Sequence, residues 1–374
     1  MQHTTSSLNS GLLMDKNDIA VDRGLAEFRA GRPVVIADES EALTALPVEG
    51  LTTARLAAFR TLTAPACVRL AVTGRRAKAM GLAAAGPVAL DFATENADEL
   101  LSLAADANIA VSTKAVPACV AAVAAIDLAK LALGLPAVLV ADRRPAASDL
   151  SLVEINADAV AGFRGNVIRT LKIASRADVP LHGRLNAEFV VFDDVLGSHP
   201  TAIVIGRPDL SRPVPVRLHS ACLTGDVFGS RRCDCGDQLR LALANLETAG
   251  GGIVLYLPQE GRGLGLVNKM RAYALQDAGL DTVDANTTLG FDDDERHYDV
   301  AARMLEILGC QEIFLLTNNP AKIDGLRQHG ITIRGRLPLV TPINADNRRY
   351  LTAKATRAGH HLDHVMTALV DSDG

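Results

Sequence analysis

The stretch V-P-V-R-L-H-S-A-C-L-T-G-D-V-F-G-S-R-R-C-D-C-G-D-Q-L-R-L-A-L-A-N-L, Val214 to Leu246, decides the fold class and holds much of the chemistry. Val214–His219 reads as a strand leading into Cys222. Gln238–Leu246 sets Leu239, Ala242, Leu243 and Leu246 on one helical face, and Gly250–Gly252 end that helix. Cys233 and Cys235 then lie just before a helix N-terminus, where unpaired amides and the helix dipole favour thiolates. Three thiolates this close can hold a zinc ion and leave its fourth position open for water, as a hydrolytic metal requires. Two other readings stand beside that one: a structural zinc closed by a distant histidine, and three buried thiols that bind nothing. Interleaved Arg217, His219, Arg231 and Arg232 are more than a structural zinc knob requires.

Strand and helix patterns continue on both sides. Ala187–Phe192 and Ala202–Ile205 read as strands. Ile253–Leu257 reads as a buried strand running into P-Q-E-G-R-G-L-G, which opens a helix over Leu266–Ala278. Glycines between a strand and a helix let backbone amides approach a phosphate, and equally make a plain tight turn. The absence of G-x-x-x-x-G-K-[ST] excludes a Walker-type NTPase. A helix is expected over Asp294–Leu308, then a strand over Ile313–Leu316 and the turn T-N-N-P-A-K. Thr317 and Lys322 follow that strand, where α/β folds place ligands, although Lys322 alone reads as a solvated helix residue. In F-D-D-D-E-R-H-Y, Phe291 to Tyr298, the acids fit a helix start complementing its dipole, and Asp294 with Arg296 fits a pair aimed at phosphate.

Composition bounds the rest. A chain of 374 residues suits two α/β domains, each with its own core. With 48% hydrophobic and 22% charged residues it reads as a soluble globular protein. Six unevenly placed cysteines make no disulfide framework, so a reducing cytoplasm is expected. The first residues show no signal-peptide pattern, and Pro117, Asp127, Lys130 and Pro136 break the apolar Ala115–Val140 stretch, so no membrane span is expected. A net charge of −5 argues against a nucleic-acid polymer as partner, leaving any anionic ligand to local arginines. Residues 1–16 read as a disordered lead-in. Short apolar runs such as Val34–Ile36 and Val138–Val140 alternate with helical patterns over Ala97–Ala105 and Val120–Leu133, and the polar residues 142–180, including Arg143-Arg144-Pro145, carry the boundary.

Taken in order, C-L-T-G-D, R-C-D-C-G, Q-E-G-R-G, N-K-x-R-A-Y-A-L-Q-D, L-G-F-x-x-D-E-R and L-L-T-N-N-P-x-K resemble GTP cyclohydrolase II from about Val179 to His360. The resemblance implies an α/β domain over 171–374, a homodimer, and Mg²⁺ accompanying the nucleotide. It implies Cys222, Cys233 and Cys235 as ligands of one zinc per subunit. It places GTP on Arg217, Leu218, His219, Ser220, Ala221, Gln238, Glu260, Gly261, Arg262, Thr282, Thr317 and Lys322. Asp294 matches the proton acceptor, Arg296 the group acting at the α-phosphate, and Tyr273 a tyrosine near the guanine ring. One departure is Ala221, where the family usually has glutamate in R-V-H-S-E-C. The implied reaction opens the guanine imidazole ring, releases formate and expels pyrophosphate in the first step of riboflavin synthesis. A guanidinium stays protonated, so Arg296 as electrostatic stabiliser is at least as reasonable as Arg296 as nucleophile. The alternatives are a GTP-binding sensor or scaffold, and a partial reaction that retains formate.

The opening G-L-A-E-F-R-A-G-R-P-V-V-I, Gly24 to Ile36, resembles 3,4-dihydroxy-2-butanone 4-phosphate synthase, commonly fused ahead of GTP cyclohydrolase II. That family follows with an acidic D-D-E-D-R-E-N-E-G-D loop and a later G-H-T-E segment. Here the loop reads Ala37-Asp38-Glu39-Ser40-Glu41-Ala42-Leu43, and no histidine occurs between His3 and His182. Mg²⁺ wants several oxygen ligands and acid–base work a titratable group. The domain over 17–170 is therefore expected to keep the fold without the activity.

Overall fold

The computed structural model describes residues 15–143, 151–181, 186–357, 359 and 362. The lead-in as far as residue 14, Arg144-Pro145 of the polar boundary, His182 and His360 lie outside the described residues. The chain runs α1 (Lys16–Arg29), β1 (Val34–Ala37), β2 (Ala42–Pro47), α2 (Thr53–Thr63), β3 (Arg69–Val72), α3 (Gly74–Ala79), β4 (Val88–Leu90), α4 (Ala97–Ala105), β5 (Ala115–Pro117), α5 (Val120–Leu131), β6 (Ala137–Asp142), β7 (Glu154–Asn156) and α6 (Ala157–Arg169). It continues with β8 (Lys172–Pro180), β9 (Asn186–Asp193), β10 (Thr201–Gly206), β11 (Val214–Ser220), α7 (Leu223–Asp226), α8 (Cys235–Thr248), β12 (Gly251–Leu257), a 3-10 turn at Glu260–Gly263, and α9 (Leu266–Asp277). The remainder is α10 (Thr282–Thr288), α11 (Asp299–Leu308), β13 (Glu312–Leu316), α12 (Pro320–Gln328), β14 (Thr332–Leu337) and α13 (Arg348–Thr356). Two compact units result: one runs to Asn166 and takes in Asn286–Asp292, and the other holds Val167–Ala285 and the chain from Asp293 onward.

In the first unit, the described residues form a seven-stranded sheet in the order β5-β4-β3-β6-β2-β1-β7, antiparallel except for β1 beside β7. Helix α5 buries Ala121, Ala122, Ala124, Ala125, Ile126, Leu128 and Ala129, apolar nearly all round. The turn between β1 and β2 is closed by Asp38, whose carboxylate accepts hydrogen bonds from Ser40 N, Ser40 Oγ and Glu41 N. The aspartate of the shortened acidic stretch therefore caps its own turn.

In the second unit, the described strands lie in the order β14-β13-β11-β12-β10-β9-β8. Strands β12, β11, β13 and β14 are parallel, and β10, β9 and β8 continue antiparallel. Alternation along β11 sends Val214, Val216 and Leu218 into one core with Ala301, Leu305 and Leu326 from α11 and α12. The opposite face carries Arg217 and His219, while Val254 of β12 packs with Ala242 and Leu246 of α8. Each leucine buried this way contributes about 1.5–3 kcal/mol. The carboxyl ends of β11, β12 and β13 deliver Cys222, Glu260 and Thr317, the edge where open α/β sheets bind ligands.

One sequence expectation fails. The helix expected from Asp294 begins only at Asp299, and residues 294–298 run without helical structure. The Arg262 side chain holds the Asp293 carboxylate at 2.6 Å, and Glu295 N donates to Arg262 O at 3.0 Å. Those long-range partners outcompete a first helical turn, whose acids would gain only a modest dipole term of about 0.3–1 kcal/mol each.

Candidate functional site

The loop after β11 folds back so that the sulfur atoms of Cys222, Cys233 and Cys235 lie within 4.8 Å of one another. Cys222 and Cys233 are buried, with their sulfurs 3.7 Å apart. Hydrogen bonds from the Cys233 and Cys235 thiols, with the Lys269 ammonium, drive the Cys222 pKa far down. Donating to Cys222 pushes Cys233 up to about 11 and raises Cys235 as well. Gly225 makes this convergence possible: a Cβ there would stand 3.0 Å from Cys233 Sγ and 3.1 Å from Cys222 Sγ. Three soft sulfur donors on one side of a small space fit zinc. Substituting Gly225→Ala is expected to weaken zinc retention at least about 10-fold, as losing an outer-shell support does. Competition with a chromogenic chelator measures it.

Charged side chains surround the sulfurs. Lys269 Nζ donates to Cys222 Sγ at 3.1 Å, Thr224 Oγ1 at 3.0 Å and Glu260 Oε1 at 2.8 Å. Burial pulls the Lys269 pKa down, but Glu260 and Cys222 together hold it above the ordinary lysine range, so it stays charged. Glu260 Oε2 accepts from Leu223 N at 2.7 Å, tying the glycine loop to the residue after Cys222. Asp226 accepts from Cys222 N at 2.9 Å and Tyr256 OH at 3.0 Å. His219 Nε2 lies 3.0 Å from the same carboxylate, and burial lowers the His219 pKa, so the neutral ring donates there. Asp234, between the two later cysteines, is 1% exposed and accepts from Lys354 Nζ at 2.8 Å. Lys269, Asp226, Asp234 and Lys354 were not singled out from sequence. The first two lie inside the C-L-T-G-D and N-K-x-R-A-Y motifs, and Asp234 is inside R-C-D-C-G, but nothing local marks Lys354 as its partner.

A second group of cations lies beside the cysteines. Arg217 Nη1 donates to Leu316 O at 3.1 Å and its Nη2 to Gln238 on α8; burial pushes its pKa down to about 10. Lys322 is 5% exposed rather than solvated, and its Nζ donates to Leu218 O at 2.8 Å. Burial, with the nearby Arg217 and Arg296 charges, holds the Lys322 pKa well below the lysine range. Arg296 forms a fork with Asp294, its Nε donating to Oδ1 at 2.8 Å. Burial works against both charges, yet the pairing lowers Asp294 and raises Arg296. Such crowding of buried cations calls for an anion. Buried polar atoms without a hydrogen-bond partner include Arg217 Nε, Ser220 Oγ, Arg262 Nη2 and His219 Nδ1, on residues the sequence assigned to ligand binding.

The other expected residues divide. Arg262 holds a left-handed backbone (φ 62°), a strain of about 1–3 kcal/mol, and Gly263 permits close packing on Glu295 and Arg296. Tyr273 lies one turn beyond Lys269 on α9, with the Arg232 guanidinium 4.5 Å over its ring. Burial raises its hydroxyl pKa, leaving a neutral donor. Leu218 contributes only its carbonyl, since its side chain is core. Ala221 N continues the strand by donating to Leu257 O at 2.8 Å. Gly261 packs on Lys269, and Thr317 Oγ1 accepts from Asn319 N at 3.0 Å within its own turn. Thr282 stands half-buried at the start of α10, and among the described residues no hydrogen bond joins its side chain to this group.

The family model described as GTP cyclohydrolase II matches residues 172–338. Over 356 residues the chain is 40% identical to a protein named GTP cyclohydrolase-2 from Xylella fastidiosa (strain 9a5c), covering 92% of this chain and 88% of that one. It is 42% identical over 361 residues to GTP cyclohydrolase-2 of Azospirillum brasilense, covering 91% and 93%. A shorter likeness, 54% over 162 residues, links 43% of this chain to 41% of the riboflavin biosynthesis protein RibBA of Bacillus mycoides (strain KBAB4).

Proposed function

Because this chain belongs to the GTP cyclohydrolase II family, we propose that it opens the guanine ring of GTP and releases formate and pyrophosphate. The product left is the diamino(phosphoribosylamino)pyrimidinone of riboflavin biosynthesis. The observation that carries this reading is the convergence of Cys222, Cys233 and Cys235, with sulfurs within 4.8 Å, beside Arg217 and its unpartnered Nε. Bound at the three sulfurs, zinc would supply Lewis acidity and a water of pKa ~7. Lys269 offsets the negative charge of Cys222, and Glu260 keeps Lys269 in place. Arg217, Arg296 and Lys322 receive the phosphates, and Mg²⁺ would accompany the nucleotide and offset its charge. Ser220 Oγ and Arg262 Nη2 supply further donors. Arg296, kept protonated by Asp294, stabilises charge at the α-phosphate rather than attacking it, and Asp294 accepts a proton or fixes the guanidinium. Tyr273 donates to the opening ring.

Residues 171–374 act as the cyclohydrolase domain, in a homodimer, and 17–170 as a domain without synthase activity of its own. Asp38 turned onto Ser40 and Glu41 supports the second part. Among the described residues no helix is long and apolar enough to cross a membrane.

The test is GTP supplied to the zinc- and magnesium-loaded chain, with formate, pyrophosphate and the pyrimidine chromophore scored together. All three are expected in equal amounts. Pyrophosphate without formate would mean a partial reaction, and GTP binding without any product would sink the enzyme reading.

A further inference from the structure

Segment Asn286–Asp292 comes late in the sequence but folds within the first unit. Helix α10 ends in it, at Thr288, where Gly290 N closes on Thr287 O at 3.0 Å and Phe291 N on Asn286 O at 3.1 Å, and the last carbonyl, Thr288 O, turns to a side chain. Arg76, 1% exposed on α3, donates from Nη1 to Thr288 O at 2.8 Å. Its Nε donates to Leu103 O at 2.9 Å and its Nη2 to Ser102 O at 3.1 Å, both in the last turns of α4. One guanidinium thus caps two helix C-termini, which suits a cation and a planar fork. Two residues further on, Thr73 Oγ1 donates to Gly290 O at 2.6 Å. Gly290 has φ 89°, and a Cβ there would meet Thr73 Oγ1 and Pro136 Cγ at 3.0 Å each. Leu289 and Phe291 bury their side chains on either side. Burying a guanidinium is costly, and a simple space-filling role would need none.

The chain leaves this grip at Asp292 and reaches Asp294 two residues later, so their Cα atoms stand at most about 7 Å apart. Little slack separates the gripped turn from the Asp294–Arg296 fork. We propose that Thr73 and Arg76 are positioning residues for the reaction, holding the 286–292 segment of the first unit so that Asp294 and Arg296 are delivered in working register. This gives the first unit a task in catalysis without chemistry of its own, and it rests on the cyclohydrolase reading of Asp294 and Arg296.

The test uses the full chain carrying Thr73→Val, Thr73→Ser or Arg76→Lys. Steady-state pyrophosphate release and bound zinc are measured together with hydrogen exchange over residues 286–296. A misplacement near 1 Å costs up to about 100-fold, so Thr73→Val is expected to lower kcat about 10-fold, with the KM for GTP and the zinc content unchanged. Thr73→Ser restores the hydroxyl and returns kcat to within about twofold, whereas Arg76→Lys, lacking the fork, falls at least as far as Thr73→Val. Exchange speeds up over 286–296 in the impaired variants. Folded Thr73→Val with wild-type kcat, or a loss matched only by a rise in KM or by unfolded protein, would overturn the proposal. Should Arg76→Lys fail to fold, the threonine pair decides. A wild-type chain that turns over no GTP refutes the cyclohydrolase reading itself, and exchange unchanged by Thr73→Val still overturns the grip.

Discussion

Exchanging Cys233 for serine is expected to remove zinc from the chain and lower formate release by more than about 100-fold. Even losing a group that only orients a metal ligand costs about 10–100-fold, and Cys233 supplies one of the three converging sulfurs. A serine hydroxyl is nearly isosteric but neither soft nor ionised at neutral pH, so two thiols and a hydroxyl remain. The fold tolerates the change, because Cys233 lies in a loop ahead of α8 and the β-sheet core does not include it. GTP affinity is expected to fall only a few-fold, since Arg217 and Lys322 come from β11 and α12. Metal analysis, formate detection and nucleotide binding on one preparation separate these effects. A Cys233→Ser chain that keeps both zinc and formate release would remove the sulfurs from the chemistry.

Arg296→Lys acts at the other end of the site. Lysine keeps the charge but cannot form the two-pronged pairing that Arg296 makes with Asp294. Losing one preorganised donor to developing charge typically costs about 10²–10³-fold in kcat, and a decrease of that size is expected here. Zinc content stays at the wild-type level. Asp294→Asn is expected to act in the same direction, because the fork then loses its anionic half. If Arg296→Lys turned over within about threefold of wild type, its planar geometry would have no part in the reaction. The two substitutions together also order the chemistry: zinc-free Cys233→Ser that still yields pyrophosphate would mean the phosphate step proceeds without ring opening.

Much of this site was legible before any fold was known. Strand β11, the cysteines and α8 follow one another within a few residues, so period-two and period-3.6 apolar patterns locate them without distant partners. Arg217, Glu260 and Arg262 stood out because charge and glycine interrupt apolar runs beside strands, and Arg296 because it stands next to the acids of F-D-D-D-E-R-H-Y. Reading Asp292–Glu295 as a helix start failed because that reading weighs neighbours only. Arg262, 31 residues before Asp293, claims Asp293 and Glu295 instead.

The sequence by itself determined the alternation of strands and helices, the grouping of the three cysteines and the family to which the chain belongs. All of these rest on short-range patterns or on motifs kept in order. Only the tertiary structure decided which charges meet. Lys354 reaches Asp234 across 120 residues, Lys269 reaches Cys222 across 47, and Arg76 reaches Thr288 across 212. Each meeting requires a long loop to close and two polar groups to lose water together. Those terms depend on where the sheets bring the chain, and no local propensity contains them.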